Sequence, residues 1–229
     1  MKSNALLIAK NWPEPASTAA GRRSLDILQL ISNTGYDIHV ASPADATPFQ
    51  TDLTLLGYQT HRIAVNDSQA DRFFQALSPK LVIYDRFVME EQFGWRIKTI
   101  CPQAITLLDT SDLHCLRHAR EIAFKKGTEP DLYNDIAIRE ISALLRCDLT
   151  LMISQVEMEL LKTHFAISDT QLFYLPFMIS DNDFQTGLPR NQRHHIISLG
   201  GLKHEPNRDA VRWLKTSKCM SLVPMLTMP

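Results

Sequence analysis

From Ala5 to Leu175 the chain alternates short, continuously apolar runs with longer stretches of helical period, and this alternation leaves few folds open. Residues 5–9, 36–41, 59–65, 81–84, 104–108, 149–153 and 171–175 read as strands. Helical patterns fall at 19–32, 69–77, 89–100, 113–126, 131–146 and 155–165, with a shorter one near 49–56. Strands buried on both faces need no polar alternation, so continuous apolar runs imply a parallel sheet covered by helices on each side. The fold class is therefore α/β, a doubly wound, mostly parallel Rossmann-like sheet. Such sheets hold ligands at the carboxyl ends of their strands, near the point where strand order reverses. Functional residues are expected directly after strands.

A chain of 229 residues has room for one large domain, or for one domain and part of another. The alternation stops near residue 180, so residues 1–180 read as the first domain. Residues 181–193 read as a polar linker, 196–199 as a new strand, Gly200-Gly201 as a tight turn and 207–214 as a helix. Residues 216–229 show no period. One strand and one helix cannot bury a core, so 181–229 reads as a linker and the start of a truncated second domain.

Twenty-four basic against 25 acidic side chains give a net charge of −1, which supplies no field for a nucleic-acid backbone. No apolar run approaches the roughly 18 residues of a membrane span. The apolar stretch at 5–9 is too short for a secretory leader and meets Lys10, so a cytoplasmic location is expected. Cys101, Cys115, Cys147 and Cys219 lie far apart, without the spacing of a disulfide framework or a zinc site.

Three post-strand segments could carry chemistry. The loop from Asn11 to Gly21 enters a helix that Ser17 or Thr18 can cap. Its small residues through Gly21 admit another molecule to a helix N-terminus suited to phosphate or carboxylate; an ordinary capped helix is the other reading. It carries neither Gly-x-Gly-x-x-Gly nor a Walker loop. Asp85-Arg86 follows the fourth strand, as a hold for a hydroxylated or anionic ligand or as a solvated ion pair. After the fifth comes the densest polar cluster, Asp109 to His118. With a helix beginning near Ser111, His114, Arg117 and His118 share one face. Two carboxylates beside a histidine could orient a sugar hydroxyl or move a proton. Capping by Asp109 or Ser111 would explain part of the cluster, and no third ligand accompanies the two histidines, so no metal is expected. Further on, Ser154 with Glu157 reads as a helix cap. In helix 131–146 the apolar face holds Ile136, Ala137, Ile141 and Leu144, while Asp135, Arg139 and Glu140 take the opposite one.

Trp-Pro-Glu-Pro-Ala-Ser-Thr-Ala-Ala-Gly at 12–21, Leu-Asp-Thr-x-Asp-Leu-His-x-Leu-Arg at 108–117 and Gly-Gly-Leu-Lys-His-Glu-Pro-Asn-x-Asp-Ala-Val-x-Trp-Leu at 200–214 resemble glycosyltransferases of the family 4 type. That resemblance implies a GT-B architecture of two Rossmann-like domains. It implies sugar transfer from a nucleotide-sugar to a glycan or small-molecule acceptor, with retention, the nucleotide-sugar being co-substrate rather than resident cofactor. It also implies that Gly21 and its neighbours border the cleft, that Asp112 and His114 face the transferred sugar, and that Gly200 opens the donor-side loop. His114 is then expected closest to the chemistry, stabilising developing charge, with Asp112 beside it. Taken together, residues and resemblance give Thr18, Gly21, Asp85, Arg86, Asp109, Arg117 and Gly200 as the substrate-binding set. The family's Glu-x₇-Glu element and nucleotide pocket have no counterpart before residue 229. A truncated or frame-shifted, weakly active or inactive chain is therefore expected, with possible self-association through the face left uncovered. The alternatives are a non-catalytic glycan- or partner-binding module and a dinucleotide enzyme, the latter disfavoured by the missing glycine fingerprint.

Overall fold

The computed structural model describes residues 2–179, 187–193, 197–198, 200–202 and 205–218. The chain divides into two compact units, 1–178 and 179–229. The first holds β1 (Asn4–Ile8), α1 (Ala19–Asn33), β2 (Asp37–Ser42), β3 (Gln59–Arg62), α2 (Ser68–Leu77), β4 (Leu81–Asp85) and α3 (Phe87–Ile100). It continues with β5 (Ile105–Asp109), α4 (His114–Lys126), α5 (Asp135–Arg146), β6 (Leu149–Met152), α6 (Gln155–Phe165) and β7 (Leu172–Tyr174).

All seven strands are parallel, in the order β3-β2-β1-β4-β5-β6-β7. The sheet grows one way from β1 and then the other way from β4, so the switch point lies between these two. Successive side chains point to opposite faces. Leu6, Ile8, Val82 and Tyr84 pack with Phe74, Phe93 and Ile97 on one side. Ala5, Leu7, Ile38, Val40 and Ile83 pack with Ile27, Leu28 and Ile31 of α1 on the other. The apolar runs of β1, β2 and β4 are thus strands that bury both faces, whereas β3, β5 and β7 keep exposed residues.

Local caps set several boundaries. Thr18 accepts from the Gly21 N–H to start α1, Asp67 from Gln69 to start α2, and Ser154 from Glu157 to start α6. The helix expected from 131 begins at Asp135 instead, because Asn134 caps it through the Ala137 N–H. The strand expected over 59–65 stops at Arg62, and the short helix expected over 49–56 is a 3₁₀ turn, Leu53–Leu56. No described helix is long and apolar enough to cross a membrane.

The second unit contributes α7 (Glu205–Trp213), followed by a π-helical turn, Leu214–Lys218, where no helical period was expected. None of its described residues is buried. Of the strand expected at 196–199, Ile197 and Ser198 are irregular, while Ile196 and Leu199 lie outside the described residues, as does 219–229.

Candidate ligand-binding site at the carboxyl edge of the sheet

The loop after β1 is built around Glu14, whose carbonyl accepts from the N–H groups of Ser17 and Thr18. Its carboxylate accepts from the hydroxyls of Ser17 and Thr47. The Trp12 indole N–H reaches the Ala44 carbonyl at 2.9 Å, pinning the loop against the segment after β2. Gly21 has a specific role here. A Cβ at this position would lie 2.4 Å from the Glu14 backbone nitrogen and 2.7 Å from its oxygen. The small residue therefore admits the chain's own loop to α1, where the sequence suggested room for another molecule. Gly21→Ala should destabilise the unit by about 1–3 kcal/mol, since a main chain cannot step aside as a flexible side chain can. An unchanged urea midpoint would refute this role.

Between this loop, the first turn of α1, the segment after β2 and the end of β4 lies a cavity of about 310 Å³. Trp12, Glu14, Thr18, Gly21, Asp45, Asp85 and Arg86 are among its lining residues. It sits at the switch point, between the carboxyl ends of β1 and β4. Asp85 is buried, so the pair after β4 is not a solvated one. Its Oδ2 accepts the Lys10 N–H at 3.0 Å, and its Oδ1 lies 3.3 Å from Nε of Arg86. Arg86 has φ +71° and ψ 158°, a region that glycine tolerates and arginine does not. Its N–H donates to the Asp109 carbonyl at 2.8 Å, which fixes the backbone there.

Asp109 does not line the cavity. It is 4% exposed and faces Arg23 of α1, which is itself 1% exposed. Nε and Nη2 of Arg23 both lie 2.8 Å from Asp109 Oδ1, the second off the hydrogen-bonding direction. Nη1 donates to the Leu175 carbonyl at 2.7 Å. Burial raises the Asp109 carboxyl to about 6, against the opposing pull of Arg23. Here desolvation outweighs pairing, as is common for buried ion pairs.

The cluster after β5 is organised differently from its expected form. The helix starts at His114 rather than near Ser111, and neither Asp109 nor Ser111 caps it. Glu140 of α5 takes that role, its two oxygens accepting the N–H groups of His114 (3.1 Å) and Cys115 (2.9 Å). Glu140 is 1% exposed, which corrects its placement on the polar face. The anion that a helix N-terminus attracts is supplied within the protein. His114 Nδ1 lies 3.1 Å from the Asp112 carbonyl and 3.3 Å from Glu140 Oε1. Both neighbours are acceptors, which assigns the neutral-ring proton to Nδ1 and leaves Nε2 an acceptor. The Asp112 carboxylate turns to Arg117, 2.8 Å away on the surface.

The structure thus gathers Thr18, Gly21, Asp85 and Arg86 around one cavity and hangs Asp109 beneath it through the Arg86 N–H. It places Asp112, His114 and Arg117 at the start of α4. Gly200 belongs to the second unit, exposed at φ +151°, with the neighbouring Gly201 carbonyl accepting from Asn207. Arg23 and Glu140 were missed, although their spacing carried a signal. Arg23 lies four and eight residues before Ile27 and Ile31, and Glu140 lies between Ala137 and Leu144 on the inward stripe of α5. A charge on an apolar stripe signals a buried partner.

No family model matches the sequence, and no curated protein does. Among solved structures the chain is similar to the lipopolysaccharide outer core galactosyltransferase WaaB in its apo form, with a TM-score of 0.49 and 11% identity, covering 78% of this chain and 47% of that one. Sucrose-phosphate synthase from Thermosynechococcus elongatus gives a TM-score of 0.48 and 11% identity over 76% of this chain and 48% of that one. WaaG, a glycosyltransferase involved in lipopolysaccharide biosynthesis, gives 0.45 and 8% over 77% and 46%. The chain spans under half the length of each.

Proposed function

We propose that the first unit binds a polyhydroxylated acceptor, a sugar or a glycan end, in the cavity at the β1/β4 switch point, as the acceptor side of a glycosyltransferase-like protein. The observation that carries this reading is Arg86. A non-glycine residue held in a glycine conformation costs of order 1–3 kcal/mol, and such strain collects at binding sites. Here it sets the guanidinium beside Asp85 in the cavity wall. The other lining groups favour hydroxyls over a highly charged ligand. Glu14 and Asp45 bring further carboxylates, which accept from sugar O–H groups, and Trp12 offers an apolar ring face. The resemblance of 12–21 and 108–117 to family 4 glycosyltransferases supports the same assignment, and by that resemblance a nucleotide-sugar is the donor. Transfer itself would need donor and acceptor held together.

Arg86→Gly separates stability from binding. Glycine relieves the backbone strain of about 1–3 kcal/mol but leaves the buried Asp85 without the neighbouring guanidinium and adds freedom to the unfolded chain. The variant should therefore stay within about 2 kcal/mol of the parent's stability. It should also lose saccharide binding at least tenfold. Calorimetric titration with neutral mono- and disaccharides, with glucose 6-phosphate and NAD as charged comparators, reads the second effect. Tight NAD binding, or saccharide binding indifferent to Arg86→Gly, would overturn the proposal.

A further inference from the structure

The outermost strand, β3, is tied to β2 by a pair of histidines on the face that α2 covers. His39 Nδ1 of β2 lies 3.0 Å from His61 Nε2 of β3, with the two rings 19° from parallel. A row of rings runs from this pair into the core. His61 meets Phe73 at 4.6 Å between centroids, Phe73 meets Phe74 at 5.5 Å, and Phe74 meets Phe93 at 6.1 Å. His39 is 5% exposed and His61 half-buried. Because α2 fully buries only Ala70 and Phe74, these rings supply much of what holds it and β3 to the sheet. One N–H···N bond between neutral rings uses one proton. It survives a single added proton, because an imidazolium still donates to a neutral neighbour. A second proton places an N–H on both facing nitrogens, which removes the acceptor and sets two like charges side by side. Burial holds both rings below the ordinary histidine value; Asp37 pulls His39 back up, while His39 pushes His61 further down. Asp37 belongs to β2 and meets Lys2 at 3.9 Å. Of the other charges on β3 and α2 and before them, Arg62 turns to Asp45, Asp67 caps α2 through Gln69, Asp71 pairs with Arg96 and Arg72 is exposed.

We propose that the His39–His61 pair is an acid-released latch, which holds β3 and α2 against β2 at neutral pH and lets them open once both rings are protonated. The latch is independent of the saccharide reading. An opened segment takes up histidine protons near pH 6.5 and the closed one only at lower pH, so protons favour opening between these limits. The closed edge therefore has its full stability above about pH 6.5 and loses it as pH falls. Two measurements on the whole chain test this. Ring-nitrogen NMR should show His39 and His61 taking up protons in two coupled steps, both below the value of a free histidine. Amide-exchange protection, corrected for its intrinsic pH dependence, should fall at least about tenfold across 59–62 and 68–77 from about pH 8 to about pH 5, while that of β1 and β4 does not fall. His39→Asn with His61→Gln puts a side-chain amide where each facing nitrogen stood, a hydrogen-bonding pair that does not titrate. That double variant should keep the same protection at both pH values. The proposal is overturned if the two rings titrate independently near pH 6.5, or if the parent's protection at 59–62 and 68–77 is indifferent to pH. It is equally overturned if the double variant retains the parent's acid loss. Should that variant not fold, the two measurements on the parent still decide.

Discussion

Arg23→Met should cost the first unit about 3–5 kcal/mol of folding stability, because it leaves a buried carboxylate without its counter-charge. The same change removes the donor to the Leu175 carbonyl at the end of β7. Chemical denaturation of the parent, of Arg23→Met and of Arg23→Met with Asp109→Leu distinguishes the two losses. The double variant should recover most of the stability, since an apolar pair of similar volume avoids the desolvation of both charges. What it fails to recover belongs to the Leu175 bond. A pH dependence of defined sign follows as well. The folded-state value of Asp109, about 6, lies above that of an unfolded aspartate near 4, so the folded chain binds the extra proton between these values. The contribution of Asp109 to stability is therefore full below about pH 4 and declines as pH rises toward 6. Without Arg23 the carboxyl holds its proton to still higher pH. The deficit of Arg23→Met should thus be small at pH 5 and large at pH 8. A deficit below 1 kcal/mol, or one independent of pH, would show that the pair is not the buried unit described.

Glu140→Ala should rank next, at about 2–4 kcal/mol, because it strips the acceptors from two N–H groups at the start of α4, one of them fully buried. The loss should be local in its dynamics. Amide exchange at 114–117 should accelerate well beyond that of α3 or α6, since the first helical turn depends on a cap from a neighbouring helix rather than on its own residues. Glu140→Gln keeps one carbonyl acceptor and should lose about half as much. If Glu140→Ala unfolds at the parent's denaturant midpoint, α4 is held by its apolar face alone.

Much of the fold was legible because its determinants are local. The cap of α1 by Thr18 needs three residues, and the burial of β1 and β4 follows from their uninterrupted apolar runs. Asp85 and Arg86 could be placed at a strand end for the same reason. The features that organise the site are not local. Asp109 meets Arg23 across 86 positions and Glu140 meets Cys115 across 25. Nothing near Asp109 in the sequence shows that it faces inward while Asp85 faces a cavity. The φ of Arg86 was equally hidden, since a residue type disfavoured at positive φ gives no sign that its surroundings impose it. The helix expected from Ser111 starts later because its cap lies on another helix, beyond any window of local spacing.

Arg23 also has a consequence for the order in which the unit can be completed during synthesis. Its three acceptors leave the ribosome in sequence, Asp109 86 residues later, Leu175 152 residues later and Pro176 153 residues later. At about 5–20 residues per second, the last two follow Arg23 by on the order of ten to thirty seconds. Until then α1 carries a guanidinium on the stripe that must dock against the sheet, and water is its best solvent. Early burial of that helix on β1 and β4 is thereby penalised, and the penalty disappears when the end of β7 arrives. A single charged side chain near the N-terminus thus finds its full set of acceptors only when the sheet has all of its strands.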